Sequence, residues 1–323
     1  MSRPRLTAFE KRLCNTLQNG LPIVKRPYAQ LAKTLKCSEE SVLSHTRGLV
    51  KRGVIRRLGA VVNWRAIGRT STLVTAHIEK GDLPGVIEAV NELEGVSHNY
   101  LRDHHFNLWF TLRAQSETQI NRILTKLSRR FGADFHSLPL VRIFKLDVRF
   151  DALSGGQRLL PVLENKHRIL NNEHRTSNLN EIDKRILERL QGGLKVVARP
   201  YDFFGEEFEN YDCLLHIAGM IEEGIIYRIG AVVNHHKLGF TANAMFVCKA
   251  ESRRIVEIGE NLAKPNIVSH CYQRKPFEGW PFNIFGMMHN RDMVNIRREI
   301  EKFVKANRLT TWDVLETAKT LKK

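Results

Sequence analysis

What this 323-residue chain lacks already narrows its chemistry. No stretch approaches the roughly 18 consecutive apolar residues that a membrane-spanning helix needs. The basic start, Met1-Ser2-Arg3-Pro4-Arg5, passes straight into an amphipathic segment without an apolar signal core, so a cytoplasmic protein is expected. The five cysteines, Cys14, Cys37, Cys213, Cys248 and Cys271, show no CxxC spacing and no disulfide framework. Cys271 beside His270 has the composition of a metal ligand or a nucleophile. No HExxH or paired CxxC accompanies it, so a free thiol is the simpler reading and no metal site is expected. The chain also has no GxGxxG, no GxxxxGK[ST] and no GxSxG, which removes support for a dehydrogenase, a kinase or a hydrolase.

Acidic residues are the next shortage. Lys and Arg number 51 against 34 Asp and Glu, a formal charge of +17. Residues 1–150 hold 25 Lys or Arg against 12 Asp or Glu, a net +13. Such a balance implies an anionic partner, and duplex DNA, RNA and a polycarboxylate all satisfy it. The 42% hydrophobic and 26% charged content is that of a globular protein, and the length allows two or more domains with cores of their own.

The chain repeats itself. "LTAFEKRLCNTLQNGLPIVKRPY" (6–28) returns as "LNEIDKRILERLQGGLKVVARPY" (179–201), and "GVIRRLGAVVNWRAIG" (53–68) as "GIIYRIGAVVNHHKLG" (224–239). "SHNYLR" (97–102) is echoed by "SHCYQR" (269–274). Shared order and nearly equal spacing point to two fused copies of a module of roughly 145 residues.

Leu6, Phe9, Leu13 and Leu17 share one helical face, as do Leu179, Ile182, Ile186 and Leu190. A helix–turn–helix follows, with Ser38 as cap of its second helix and Gly53 as its stop; "VIRRLGAVVN" reads as a wing. The rest reads βαββαβ: a strand over 72–78, a helix over 83–91, a hairpin of 96–101 and 107–112, a helix over 117–130 and a final strand within 135–150. The expected fold is therefore α+β, a tandem duplication of winged helix-turn-helix (1–68, 179–239) and ferredoxin-like βαββαβ (69–150, 240–323) units. An Asn-, Gly- and charge-rich bridge over 151–178 joins the copies. Two helices would cover one face of each small sheet, and the other face would need the second module as partner. An exposed sheet edge leaves a further homodimer open.

A winged helix suggests DNA, with 38–52 in the major groove and His45, Arg47, Lys51 and Arg52 supporting it. A solvated helix end carries the same residues for its dipole alone. The second copy argues against DNA: 201–224 holds seven acidic residues and no Lys or Arg, where a second recognition helix should lie. DNA binding is not expected.

Polar residues cluster at equivalent places. The first module offers Arg56 and Arg57 on the wing, His98, Asn99, Tyr100 and Arg102 on a strand, and His104 with His105 in the turn. The second offers Tyr227 and Arg228, then His270, Tyr272 and Arg274, then Trp280 and His289. Alternation puts His98 and Tyr100 on one sheet face, and His270, Tyr272 and Arg274 likewise. Any one of these histidines alone would suit a structural role equally well. Together, Arg, Tyr and His on a sheet surface suit a large planar acid: Arg clamps carboxylates, aromatics stack, and His moves protons near neutral pH.

The order "GVIRRLGAVVN…LG", then "SHNYLRDHHFNLWFTL" and "SHCYQRKPFEGWPFNIFGMMHN", resembles the siroheme decarboxylases, which are built on the fold of AsnC/Lrp-type transcriptional regulators. The likeness covers both copies, and the fused arrangement is similar to the form that serves heme d1 biosynthesis in denitrifying bacteria. The resemblance implies loss of carbon dioxide from the C12 and C18 acetates of siroheme to give 12,18-didecarboxysiroheme. It also implies an iron-containing tetrapyrrole as substrate, held between the two sheets and the wings, with no added cofactor. By the resemblance His98 and His270 are the motif histidines, as proton donors or carboxylate positioners, and Arg102 and Arg274 the motif arginines. Arg56, Arg57 and Arg228 join these arginines as candidate anchors for spectator acids. Tyr100, Tyr227, Tyr272 and Trp280 are candidates for steering or stacking, and His104 for catalysis or for the siroheme iron. Cys271 for Asn99, "NIFG" for "NLWF" and the insert "KPFEGWP" (275–281) make the halves unequal. The alternatives are a ligand-responsive regulator and a non-catalytic tetrapyrrole-binding protein.

Overall fold

The computed structural model describes residues 5–153, 179–202 and 212–322. The expected bridge lies outside the described residues from 154 onward, as does 203–211 of the acidic stretch. The first repeat contains α1 (Ala8–Asn19), α2 (Pro27–Leu35), α3 (Glu39–Lys51), β1 (Ile55–Val62), β2 (Thr70–Ala76), α4 (Leu83–Glu92), β3 (Val96–Arg102), β4 (Leu108–Ala114), α5 (Glu117–Phe131) and β5 (Phe135–Leu146). The second contains α6 (Glu181–Gly192), α7 (Cys213–Glu222), β6 (Ile226–Val233), α8 (His235–Leu238), β7 (Ala242–Cys248), α9 (Ile255–Ala263), β8 (Val268–Arg274), β9 (Ile284–Asn290), α10 (Met293–Asn307) and β10 (Trp312–Lys322). The repeats interleave into two units, Met1–Ile67 with Val148–Thr241, and Gly68–Asp147 with Ala242–Lys323.

The first unit pairs the two winged regions. Thr7 caps α1 in a reciprocal box with Glu10, Pro27 opens α2 where a missing N–H is harmless, and Ser38 caps α3 by accepting from the Ser41 N–H. The wing strands β1 and β6 pair antiparallel, with Gly59 opposite Gly230. These two glycines have a steric reason. A Cβ on Gly59 would lie 2.3 Å from the Leu190 carbonyl oxygen at the end of α6, and one on Gly230 would lie 2.5 Å from that of Leu17 near the end of α1. Each repeat's first helix thus lies against the other repeat's wing. Leu21 N–H donates to Ile229 O and Leu194 N–H to Leu58 O, both at 2.7 Å. Leu13, Leu17, Leu49 and Leu58 share one core with Ile186, Leu190, Ile217 and Ile229.

In the second unit each βαββαβ gives the ferredoxin-like strand order, β5-β2-β4-β3 and β10-β7-β9-β8. The sheets do more than face each other. β5 pairs with β8 and β10 with β3, closing an eight-stranded antiparallel barrel in the order β10-β3-β4-β2-β5-β8-β9-β7. The sheet edge expected to admit a homodimer is therefore used up within the chain: both edges of both sheets are paired, and a closed ladder presents none. Val74, Phe110, Leu112, Ile120 and Leu124 form the core under the helices of the first repeat, and Phe246, Cys271, Met288, Ile296 and Ile300 that of the second. Among the described residues no helix is long and apolar enough to cross a membrane.

Candidate active site

Strand alternation decides which side chains enter the barrel. On β4, Leu108, Phe110 and Leu112 pack under the helices, while Trp109 belongs to the interior cluster with Leu138, Met245, Val247, Trp280, Phe285 and Leu315. Tyr100 lies opposite Trp109 and His98 opposite Thr111, so both face inward. In the second repeat Tyr272 lies opposite Phe285 and His270 opposite Met287, again inward. β3 and β8 are four strands apart in an all-antiparallel barrel and so run the same way. The hairpin tips after them share one barrel end, and His98 and His270 lie toward the other.

The two ends differ in chemistry. At the hairpin end Phe106, Phe277, Trp280 and Phe282 pack onto Trp109 and Phe285, with Trp109 and Trp280 ring centres 5.2 Å apart. An eight-stranded barrel has an interior just wide enough for side chains, and this end is filled. The histidine end is polar. Ser97 Oγ lies 2.9 Å from both His98 Nδ1 and Thr111 Oγ1. Ser269 Oγ lies 2.8 Å from His270 Nδ1 and donates to the Met287 carbonyl at 3.2 Å. A serine hydroxyl has one proton, and here the Met287 carbonyl takes it. Nδ1 of His270 must then be the donor to Ser269, which leaves Nε2 as the basic nitrogen of the neutral ring.

His270 keeps some exposed surface, yet its surroundings push its pKa down to about 4. Desolvation is the main cause, the charge of His98 adds to it, Asp147 opposes it, and Arg274 and Lys145 contribute in the lowering direction. The two histidines are thus close enough to repel when charged. Asp147, which the sequence reading passed over, donates its N–H to Ser269 O at 2.9 Å.

The motif arginines, expected as carboxylate anchors, each donate to a backbone carbonyl. Arg102 Nη1 donates to Leu315 O at 2.7 Å, and Arg274 Nη1 to Leu138 O at 2.9 Å. They are 5% and 9% exposed, and burial pushes Arg102 down to about 10. Each lies against the tyrosine two residues before it, 5.5 Å from the Tyr100 ring centre and 5.1 Å from that of Tyr272. Because Leu315 is on β10 and Leu138 on β5, the arginines pin the two seams where the repeats join.

His104 and Trp280 lie at the hairpin end. His104 sits in the hairpin tip, so it is not brought to His98 and His270. Its Nδ1 accepts from the Phe106 N–H at 3.0 Å, and its Nε2 lies 3.4 Å from Asp313. Trp280 is 2% exposed inside the aromatic plug, unsuited to stacking on a ligand. Cys271 faces away from His270, donating to Gly259 O at 3.4 Å, and burial pushes its thiol well up, which removes the nucleophile reading.

Arg56, Arg57, Tyr227 and Arg228 belong to the first unit, on β1 and β6. Arg56 is exposed. Arg57 Nη1 donates to Gln191 O at 2.6 Å and to Leu190 O at 3.4 Å, capping the end of α6. Arg228 Nη1 donates to Ala231 O at 3.5 Å, and burial raises Tyr227 to about 12. Of the groups in 38–52 offered to DNA, Arg47 Nε donates to Val196 O at 3.1 Å, Arg52 pairs with Glu10, and His45 packs edge-on against Phe9.

Comparison with known proteins agrees with this architecture. The AsnC-like ligand binding domain matches residues 66–145 and 237–322, and a siroheme decarboxylase NirDL-like HTH domain matches 10–56. The siroheme decarboxylase of Hydrogenobacter thermophilus is 31% identical over 98% of this chain and 93% of its own. The siroheme decarboxylase NirDL subunit of Paracoccus denitrificans is 30% identical over 88% of this chain and 85% of its own. A crystal structure of the siroheme decarboxylase NirDL in co-complex with an iron-uroporphyrin III analogue superposes with a TM-score of 0.72 at 28% identity, covering 98% of this chain and 93% of that one. With both repeats matched end to end, the chain belongs to the siroheme decarboxylase family.

Proposed function

We propose that this enzyme removes carbon dioxide from the C12 and C18 acetate groups of siroheme, giving 12,18-didecarboxysiroheme for heme d1 formation. The observation that carries the proposal is the pair His98 and His270, aimed inward from opposite walls at one polar barrel end, each braced by the preceding serine. Aromatic side chains fill the hairpin end of the barrel, so an acetate on the macrocycle's rim would reach the histidines from the other, polar end. Siroheme carries eight carboxylates, and a +17 chain is a suitable host for it.

Each turnover converts an acetate carboxylate and one proton into a methyl group and carbon dioxide. The carbon–carbon bond breaks with its electron pair left on the carbon attached to the pyrrole, where the macrocycle delocalises it. The chain must turn the acetate out of the ring plane and place a proton beside the new methyl. Nε2 of His270 is suited to that: an arriving carboxylate favours its protonation, and departure of carbon dioxide withdraws that support as the carbanion forms. His98 plays the matching part across the barrel. The reacting acetate has to stay less tightly held than the others, because binding that is equally strong in ground and transition state does not accelerate the step. That Arg102 and Arg274 are turned to carbonyls is consistent with this requirement.

The two repeats in one chain supply both walls, so a homodimer would use another surface. The five free cysteines suit a reducing cytoplasm. The test is anaerobic incubation with siroheme and no added cofactor, followed by mass analysis. The expected result is loss of two carbon dioxide units. Tight binding without product would instead support a carrier, and salt-steep promoter binding that requires 38–52 would support a regulator.

A further inference from the structure

The barrel end is close to twofold symmetric, whereas siroheme is not, so something must choose which way round the ring binds. His98 and His270 correspond across the repeats, as do Tyr100 and Tyr272, and Arg102 and Arg274. Along the inward faces of β4 and β9 the side chains differ, Trp109 and Thr111 standing where the second repeat has Phe285 and Met287, and two residues beyond Thr111 and Met287 the difference becomes one of charge. Arg113 lies opposite Ser71, next in the inward series after Trp109 and Thr111. Its counterpart His289 lies opposite Asn243, after Phe285 and Met287. The backbone equivalence is close: Arg113 N–H donates to Gly95 O at 3.0 Å, and His289 N–H to Ile267 O at 2.9 Å. Thr111 is the cross-strand neighbour of His98, which places Arg113 one inward position further toward the open end.

We propose that Arg113 fixes the orientation of the macrocycle by holding one peripheral carboxylate on the first-repeat side of the barrel end. This rests on the siroheme reading above. A guanidinium offers a planar fork of donors and a permanent charge, suited to bidentate carboxylate binding; an imidazole at the same place offers single donors along fixed directions. The swapped pose would lose that fork, so one pose prevails. Arg113 is half-buried, and its pKa is lowered by desolvation and by the charge of Arg69. It acts on a spectator acid, and so is a positioning residue.

The test is limited turnover of siroheme by the wild type, Arg113→His, Arg113→Lys and Arg113→Gln. Singly decarboxylated product is assigned to C12 or C18 by NMR, and KM and kcat are measured separately. The wild type should release mainly one regioisomer. Arg113→His and Arg113→Gln should give a mixture, with KM raised roughly tenfold or more. Arg113→Lys, which keeps the charge, should recover part of the bias. Near-UV circular dichroism checks folding, and if one variant does not fold the other two decide. An unchanged isomer ratio in the folded variants, or a wild type that already gives a mixture, overturns the inference. A wild type that releases no carbon dioxide at all overturns the functional reading instead.

Discussion

His270 gives the sharpest test of how the barrel end is built. The free imidazole value of 6.5 is pushed down to about 4, first by desolvation and then by His98. As pH falls below 6.5 the unfolded chain takes up a proton that the folded chain refuses until near pH 4. Stability is thus untouched above pH 6.5 and is lost progressively between 6.5 and 4. A shift of about 2.5 units at about 1.36 kcal/mol each sets a ceiling of about 3 kcal/mol on that loss. His270→Gln carries no titrating group and should escape it. Urea unfolding at constant ionic strength, repeated between pH 7 and pH 4, should show the wild type losing up to about 3 kcal/mol relative to the variant. Curves that stay parallel would mean that the imidazole is not desolvated as described. Bound carboxylates should raise the same pKa, so siroheme binding near neutral pH should take up a proton, visible by calorimetry in buffers of different ionisation enthalpy.

The seam arginines should behave as structural groups. Arg102→Leu or Arg274→Leu should cost about 1–3 kcal/mol and leave KM for siroheme close to the wild-type value; a tenfold KM change at unchanged stability would restore them as substrate clamps. Gly59→Ala and Gly230→Ala should each destabilise by roughly 1–3 kcal/mol in chemical denaturation, because the added methyl meets a helix carbonyl. Trp280 Nε1 is buried with no hydrogen-bond partner among the described residues, so Trp280→Phe should be close to neutral. Trp280→Ala should remove about 3–5 kcal/mol, read from the unfolding midpoint.

Much of the fold could be read from the chain because the repeats gave each element twice. Ser38 and Gly53 mark the ends of α3 as expected, with Gly53 at φ 65° just past the last helical turn. β2 begins two residues earlier than the alternation suggested, since Thr70 and Ser71 extend the ladder with β4 beyond the apolar run. That His98 and Tyr100 share one sheet face, and His270 and Tyr272 likewise, followed from strand period alone; which face is inward did not. What could not be read was long range. An Arg two residues after a Tyr looks the same whether it meets a ligand or a carbonyl, and here Leu315 is 213 residues from Arg102. The β5–β8 and β10–β3 seams obey no local signal, so the sheet edges looked open. Trp280 drew attention as an insert aromatic, but its role depends on Trp109 and Phe106 in the other repeat. Asp147 was missed because it is a lone charge at a strand end, which resembles a solvated residue until the barrel closes and sets it beside Ser269 and His270.

On the proposed mechanism, paired histidines at the polar barrel end carry the carbon dioxide loss. Single-turnover release of carbon dioxide from siroheme, compared between wild type and the His98→Gln/His270→Gln double variant at matched ligand saturation, measures it directly. Binding should be retained and release slowed by roughly a hundredfold or more. A double variant that binds siroheme and releases both carbon dioxide units at the wild-type rate would contradict it.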